Sequence, residues 1–197
     1  MPKPARTEPA LTIVPDARRQ VLTRVWDPFV RLFHWSLALS FATAWLTRHS
    51  SADIHHLAGY AAGALVMLRL IWGFLGTPYA RFSQFVRAPR TIVAYLGAIA
   101  TGREARYIGH NPAGGAMVVV LMLTMGGAAL TGWLMTTDEF FGVSWVEHLH
   151  NLLGNGLLLL VLAHLMGVAL ASIRHRENLV GAMISGRKRP PEGGDVI

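Results

Sequence analysis

Four apolar segments, each about 20 residues long, dominate the sequence. They cover residues 29–47, 57–75, 116–135 and 152–173, and they lack the polar stripe that a helix on the surface of a soluble protein needs. A stretch of about 20 apolar residues is enough for an α-helix to cross the hydrocarbon core of a bilayer. The pattern therefore predicts an all-α integral membrane protein, built as a four-helix bundle in contact with membrane lipid.

The basic residues lie mainly on one side of these segments. Of the 18 Lys and Arg residues, six precede or begin the first segment, five lie between the second and third, and five follow the fourth. By the positive-inside rule, both termini are expected in the cytoplasm and the protein in the bacterial inner membrane. The net charge of +7 is then a topology signal, and no nucleic-acid partner is expected.

The remaining regions complete the predicted organisation. Residues 1–24 are polar and predict a mobile cytoplasmic tail, residues 25–176 form the four-span domain, and residues 177–197 form a cytoplasmic C-terminal tail that is disordered from Lys188. Residues 89–102 predict either an amphipathic helix on the inner leaflet or an ordinary structured loop. The sequence has no cysteine, which excludes covalent c-type haem, thiolate zinc and cysteine-held iron–sulfur clusters.

Histidines occur at two depths of the predicted bundle. His34 lies near the inner end of the first segment, and His164 lies toward the inner end of the fourth. His150 begins the fourth segment at the outer face, where His55 or His56 begins the second. His150 and His164 are 14 residues apart, so both face the same side of one helix, about 21 Å apart along its axis. Ionisable residues inside spans are costly and indicate a functional site.

Two imidazoles at each depth, with no third candidate ligand, indicate b-type haem. Catalytic zinc would need three protein ligands, and a di-iron site would need Glu inside the segments, which hold no Asp or Glu. We therefore expect two haem b groups per chain, with His34 and His164 as iron ligands of the inner haem and His150 with His55 or His56 as ligands of the outer haem.

Small and basic residues accompany these histidines. Gly59 and Gly63 follow His55 on the same helix face, and Gly154 follows His150, so these glycines are expected to pack against haem. Arg69 lies on the same face at the inner level, and Arg31 lies near His34. Both are candidates to contact haem propionates, although Arg69 alternatively extends to the lipid headgroups.

The motifs of this chain resemble those of the prokaryotic cytochrome b561 and nickel–iron hydrogenase cytochrome b subunit family. The resemblance implies four spans, two b haems and electron transfer between quinone and a redox partner. It favours His55, four residues before a glycine, although the family often has Glu where this chain has His56. It also implies the pairs His34–His164 and His55–His150. The matching stretches are R24-VWDPFVRLFH-W35, H55-HLAG-Y60, L68-RLIWG-F74, G109-HNPA-G114 and His150 to His164.

The expected function is respiratory electron transport, with quinone or quinol on one side and a c-type cytochrome or a dehydrogenase or hydrogenase subunit on the other. The loop around His110, Asn111 and Arg106 is a candidate for quinone contact; alternatively, His110 with Asn111 and Pro112 simply starts the third long helix. No catalytic residue is assigned, and an enzymatic role would be as a component of a quinol-linked oxidoreductase. Two alternatives stay open: a haem-bearing membrane anchor of a larger respiratory enzyme, and a haem-free transporter or structural membrane protein. The sequence does not fix the oligomeric state.

Overall fold

A computed structural model describes residues 22–197, which are almost entirely helical. The all-α prediction is confirmed, and residues 1–21 of the predicted tail lie outside the described residues. A 3-10 turn spans Pro78–Ala80, and two short strands, β1 (Thr23–Arg24) and β2 (Arg187–Lys188), pair with each other. The helices are α1 (Pro28–Thr47), α2 (Ala52–Leu75), α3 (Phe82–Phe85), α4 (Pro89–Thr101), α5 (Pro112–Leu134), α6 (Ser144–Arg174) and α7 (Leu179–Ser185).

Two of the long helices begin at a capping residue followed by proline. Asp27 Oδ1 accepts a hydrogen bond from the backbone N–H of Val30 at 2.8 Å, which caps α1. Asn111 Oδ1 accepts one from the N–H of Gly114 at 2.7 Å, which caps α5. Proline suits the first helical position because the missing N–H would have no partner there. Asn111 therefore has the helix-starting role that the sequence offered as one of its two interpretations.

The long helices pack in order, α1 on α2, α2 on α5 and α5 on α6. Their shared core is apolar and includes small residues that let the helices approach closely. The outward-facing side chains are also large and apolar, with Leu46 76% exposed and Leu123 71% exposed. A protein in water would bury such side chains, so this surface fits contact with lipid. The buried core consists of Ala62, Val66, Met122, Met125, Ala128 and Leu157.

Within residues 22–197, three helices are long and apolar enough to cross a membrane, namely α2, α5 and α6. The sequence predicted four spans, and α1 is not among the three. Helix α1 has 20 residues, which is sufficient length. Its lower hydropathy comes from polar residues such as Arg31, His34 and Ser40, two of which belong to the predicted cofactor site.

The C-terminal segment folds back onto the segments that precede α1 and α5. Arg106 donates to Glu177 at 2.6 Å and also pairs with Asp195, while Lys188 Nζ lies 3.4 Å from Glu177. We call these four residues the C-terminal clasp. Lys188 is only 5% exposed, and its Nζ also donates to the carbonyl of Ile108 at 3.1 Å.

The prediction of disorder from Lys188 onward is therefore wrong. The proline and glycine residues of this segment are typical of a disordered tail, but its charged side chains pair with buried residues that are distant in the sequence. The antiparallel pairing of β1 with β2 adds backbone hydrogen bonds, and Val196 forms a further bridge to Tyr107. The clasp joins the loop before α5 to the C-terminal segment, and the strand pairing joins that segment to the residues before α1.

Candidate cofactor sites

The inner pair, His34 and His164, brings α1 and α6 together. Their ring centroids lie 6.4 Å apart, and both side chains are half-buried. Nδ1 of His34 is buried and has no hydrogen-bond partner in the structure. An unpartnered buried polar atom is costly, so its presence indicates that the site is completed by something other than the chain.

The outer pair, His55 and His150, has a different environment. The ring centroids lie 6.0 Å apart. His55 Nδ1 donates to the carbonyl of Ala44 on α1 at 2.8 Å, and His150 Nδ1 donates to the carbonyl of Ala128 on α5 at 3.0 Å. Because a carbonyl only accepts, both Nδ1 atoms carry the proton, which leaves each Nε2 lone pair free to bind a metal.

The neighbouring histidines are placed differently. His56 is exposed, and its ring lies beside Tyr60 with the centroids 6.4 Å apart. His148 is also exposed, and its Nδ1 bonds to the carbonyl of Ser144 on its own helix at 2.6 Å. The structure therefore brings His55, not His56, opposite His150.

The spacing within each pair suits one iron atom between two rings. If one iron atom bound an imidazole nitrogen of each ring at about 2 Å, the ring centroids would lie roughly 6 Å apart. Within residues 22–197 the structure assembles no group of three or more His, Cys, Asp or Glu side chains that could hold a metal ion. Each pair is thus a two-ligand set, which suits a haem because the porphyrin supplies the other four nitrogens.

Two arginines have buried nitrogens without hydrogen-bond partners. Arg69 on α2 is only 2% exposed, and its Nη2 donates to the carbonyl of Ala80 at 2.8 Å, while its Nη1 has no partner. Nε of Arg31 is also buried without a partner. A buried cation needs an anion, and the carboxylate of a haem propionate would satisfy these donors.

His110 is a residue that the sequence did not assign to a haem site. Its ring lies between Trp26 and Phe85, with both centroid distances at 4.7 Å, and its Nδ1 is buried without a partner. Burial, together with the nearby Arg69 cation, lowers the pKa of His110 to about 3, so the ring is neutral. Arg69 also stacks over Phe85, so His110 and Arg69 flank one aromatic ring. The only sequence signal was the motif Gly109-His-Asn-Pro, which also fits a helix start.

The residues suggested for quinone contact do not form one group. Arg106 belongs to the C-terminal clasp, and Asn111 caps α5. His110 faces the aromatic rings of Trp26 and Phe85. The structure therefore gives each of the three its own set of contacts.

The predicted haem-packing glycines also differ from one another. A Cβ atom added at Gly59 or at Gly154 would meet no other atom within 4 Å, so each leaves open space beside its histidine helix. A Cβ at Gly63 would lie 3.2 Å from Cβ of Ala129. Gly63 therefore allows α2 to approach α5, a contact that the same-face argument did not anticipate.

The chain belongs to the prokaryotic cytochrome b561 family, whose sequence model matches residues 25–186. It is accordingly a membrane b-type cytochrome, a class that carries haem b and transports electrons. Among curated proteins it is similar to a probable Ni/Fe-hydrogenase B-type cytochrome subunit of Rhizobium leguminosarum bv. viciae. The two are 24% identical over an alignment of 209 residues, and the alignment covers 83% of this chain and 87% of that protein. No solved structure matches the chain.

Proposed function

We propose that the protein is a four-span, di-haem b cytochrome that carries electrons across the bacterial inner membrane between the quinone pool and a redox partner. The observation that carries the proposal is the presence of two facing imidazole pairs, with centroid distances of 6.4 Å and 6.0 Å. One pair would hold an inner haem and the other an outer haem. When bound, each haem supplies one reversible one-electron site.

The chain's own residues set the conditions for that chemistry. His34 and His164 would hold the inner iron, and His55 and His150 the outer iron. Arg31, Arg69 and His110 offer unpartnered nitrogens that fit propionates of the inner haem. Because His150 and His164 lie on one helix, about 21 Å apart along its axis, they would hold the two haems at different depths of the bundle.

The pairing of β1 with β2 supports a four-span arrangement. A two-stranded sheet has open edges and cannot lie in the hydrocarbon core. Because β1 and β2 are paired and therefore adjacent, both would lie on the same side of the membrane. The chain between them must therefore cross an even number of times. Three helices already have sufficient hydropathy, so α1 would be the fourth crossing. The distribution of basic residues favours the cytoplasm for both ends.

Haem counting tests the proposal. Protein purified in detergent should contain two haem b per chain by the pyridine haemochrome assay, and His164→Ala and His150→Ala should each retain one. His148→Ala is the matched control because His148 lies two residues from His150 and is exposed. It should retain both haems. A wild-type protein with a single haem, or a His150→Ala variant with two, would contradict the proposed pairing.

A second candidate function is the haem-bearing membrane anchor of a larger enzyme. The similarity to a probable Ni/Fe-hydrogenase B-type cytochrome subunit favours it, with a hydrogenase as the partner. The two functions differ in what reduces the haems. Reduction by quinol in the purified chain alone supports an independent carrier, whereas purification from the native membrane with a catalytic subunit bound supports the anchor.

A further inference from the structure

We propose that Thr131 is a positioning residue of the outer site, and that its hydroxyl, by accepting a hydrogen bond from His150, lowers the reduction potential of the outer haem. This inference rests on the proposed function, in which His150 is a ligand of that haem. Thr131 lies on α5, across from His150 on α6, and is 5% exposed.

The contacts of the Thr131 hydroxyl define its direction. Oγ1 lies 2.8 Å from the carbonyl of Gly127, 3.1 Å from the carbonyl of Ala128 and 3.2 Å from Nδ1 of His150. A hydroxyl has one proton, which goes to a carbonyl of the preceding helical turn. Its lone pairs then face His150. The Nδ1–H of His150 is therefore shared between the Ala128 carbonyl and the Thr131 hydroxyl.

Gly132, the residue after Thr131, limits the position of the His150 ring from another direction. A Cβ atom at Gly132 would lie 3.0 Å from Cε1 and 3.4 Å from Nδ1 of His150, closer than the ring would accept without moving. Glycine at 132 thus allows the imidazole to approach the backbone of α5, and Thr131 then holds it by a hydrogen bond. Together they fix both the position and the rotation of the ring.

This hydrogen bond has a chemical consequence. Donation from Nδ1–H makes the imidazole a more basic ligand through Nε2. A more basic ligand pushes more electron density onto the iron, which stabilises the oxidised, more positive state. Removing one acceptor should therefore raise the reduction potential of the outer haem and leave the inner haem unchanged.

The test compares three variants of the full-length holoprotein. Thr131→Val keeps the shape but removes the hydroxyl, and Thr131→Ser keeps the hydroxyl. Thr124→Val is the matched control: Thr124 lies on the same helix and donates to the carbonyl of Val120 at 2.8 Å in an exposed hydrogen bond, and it lies seven residues from Thr131. Spectroelectrochemical titration of purified protein gives the two midpoint potentials, and the haemochrome assay gives the haem content.

We expect one midpoint potential to rise in Thr131→Val, to stay near the wild-type value in Thr131→Ser and to be unchanged in Thr124→Val. The rising component should be the one that is missing from His150→Ala. Loss of one haem in Thr131→Val, with both retained in the other two variants, also supports the proposal because the hydroxyl then decides whether haem is held. Full haem content with both potentials unchanged in Thr131→Val would overturn it, as would a shift confined to the other haem. If His150→Ala itself retains two haems, the proposed ligand pairing fails, separately from the role of Thr131.

Discussion

The two histidine pairs of this protein are held in different ways. In the outer pair, the Nδ1 atoms of His55 and His150 each donate to a backbone carbonyl of another helix. In the inner pair, Nδ1 of His34 is buried and unpartnered, and so are nitrogens of Arg31 and Arg69 nearby. The outer site is therefore arranged by the chain alone, whereas the inner site reaches full hydrogen bonding only with an added acidic group.

Two similar ligand sets therefore have different surroundings in this protein. Hydrogen bonding at Nδ1 makes the outer imidazoles more basic and favours oxidised iron. Buried positive charge near the inner pair favours reduced iron, because reduction adds negative charge there. Both effects act in the same direction, so we expect the inner haem to have the higher reduction potential.

The largest expected effect concerns the protein without haem. In protein produced without a supply of haem, the unpartnered buried groups at the inner site should lower the free energy of local opening by about 1–3 kcal/mol. Local hydrogen exchange there should therefore be roughly 10- to 100-fold faster. Exchange measured by mass spectrometry should rise most in peptides covering residues 80–85 and 106–112. Peptides covering residues 44–58 should change less. An equal rise in exchange rate at both sites would contradict the proposed difference between them.

The next effect is on the inner potential. Replacing Arg69 by Gln removes a buried charge, so the inner haem should become harder to reduce by roughly 60 mV, which corresponds to a tenfold change in a one-electron equilibrium. Arg48→Gln is the control because Arg48 is exposed and stacks on Trp45 at the outer end. Redox titration should show one shifted component for Arg69→Gln and none for Arg48→Gln. A shift of both components by the same amount would mean that Arg69 acts at long range and not at the inner site.

A smaller effect is expected at the outer pair. Gly132→Ala adds a methyl group against His150, so the ring must shift by a few tenths of an ångström. The absorption spectrum and potential of the outer haem should change while those of the inner haem stay constant. Gly126→Ala is the control, since its added Cβ would make an ordinary 3.7 Å contact with Val66. Identical spectra for the two variants would show that the ring position tolerates the methyl group.

The smallest effect is a pH dependence confined to the inner end. Burial raises the pKa of Glu177, but the hydrogen bond from Arg106 and the charge of Lys188 outweigh it and hold the pKa below the usual value of 4.5. The pKa of Asp195 is likewise lowered by the Glu192 N–H and Arg106, against an opposing effect of burial. A lowered folded-state pKa means that the clasp is fully stabilising above the usual value and loses this stabilisation as the pH falls through the folded one.

Hydrogen exchange of peptides covering residues 187–197 should therefore accelerate as the pH is lowered from 5 toward 3, after correction for intrinsic rates. The Glu177→Gln variant should exchange faster at neutral pH and show a weaker acceleration. Peptides covering residues 44–58 serve as the internal reference and should not follow this profile. If the peptides covering residues 187–197 exchange at the same corrected rate at both pH values, the carboxylates of Glu177 and Asp195 are not what stabilises this segment.

Much of the site followed from spacing along the sequence. The distance of 14 residues between His150 and His164 placed them on one helix face, and the direction of each apolar segment matched the other histidines by depth. The structure brings the same two pairs close together. The glycine four residues after His55 favoured that residue over His56. The contact that holds the His55 ring, the carbonyl of Ala44, belongs to another helix, so no local pattern contains it.

The remaining features depend on contacts between distant residues. Arg106 and Asp195 are 89 residues apart, and the Pro- and Gly-containing stretch between Lys188 and Asp195 has the composition of a disordered tail. Thr131 and Gly132 lie in a run of small residues that is typical of ordinary helix packing. They contact an imidazole only because His150 lies opposite them on α6. The environment of His110 likewise comes from Trp26 and Phe85, which are distant in the sequence.

The pairing of Thr23–Arg24 with Arg187–Lys188 makes the path from residue 23 to residue 188 almost circular. Circular permutation is tolerated where the original ends are close and the new ends are exposed. Residues 86–88 between α3 and α4 are exposed, and in the proposed four-span arrangement they would lie on the same side as the paired strands. A permutant that starts there, with the original ends joined by a linker, would place α5 and α6 before α1 and α2. Such a chain would keep every helix in its original orientation while reversing the order in which the two helical hairpins are synthesised.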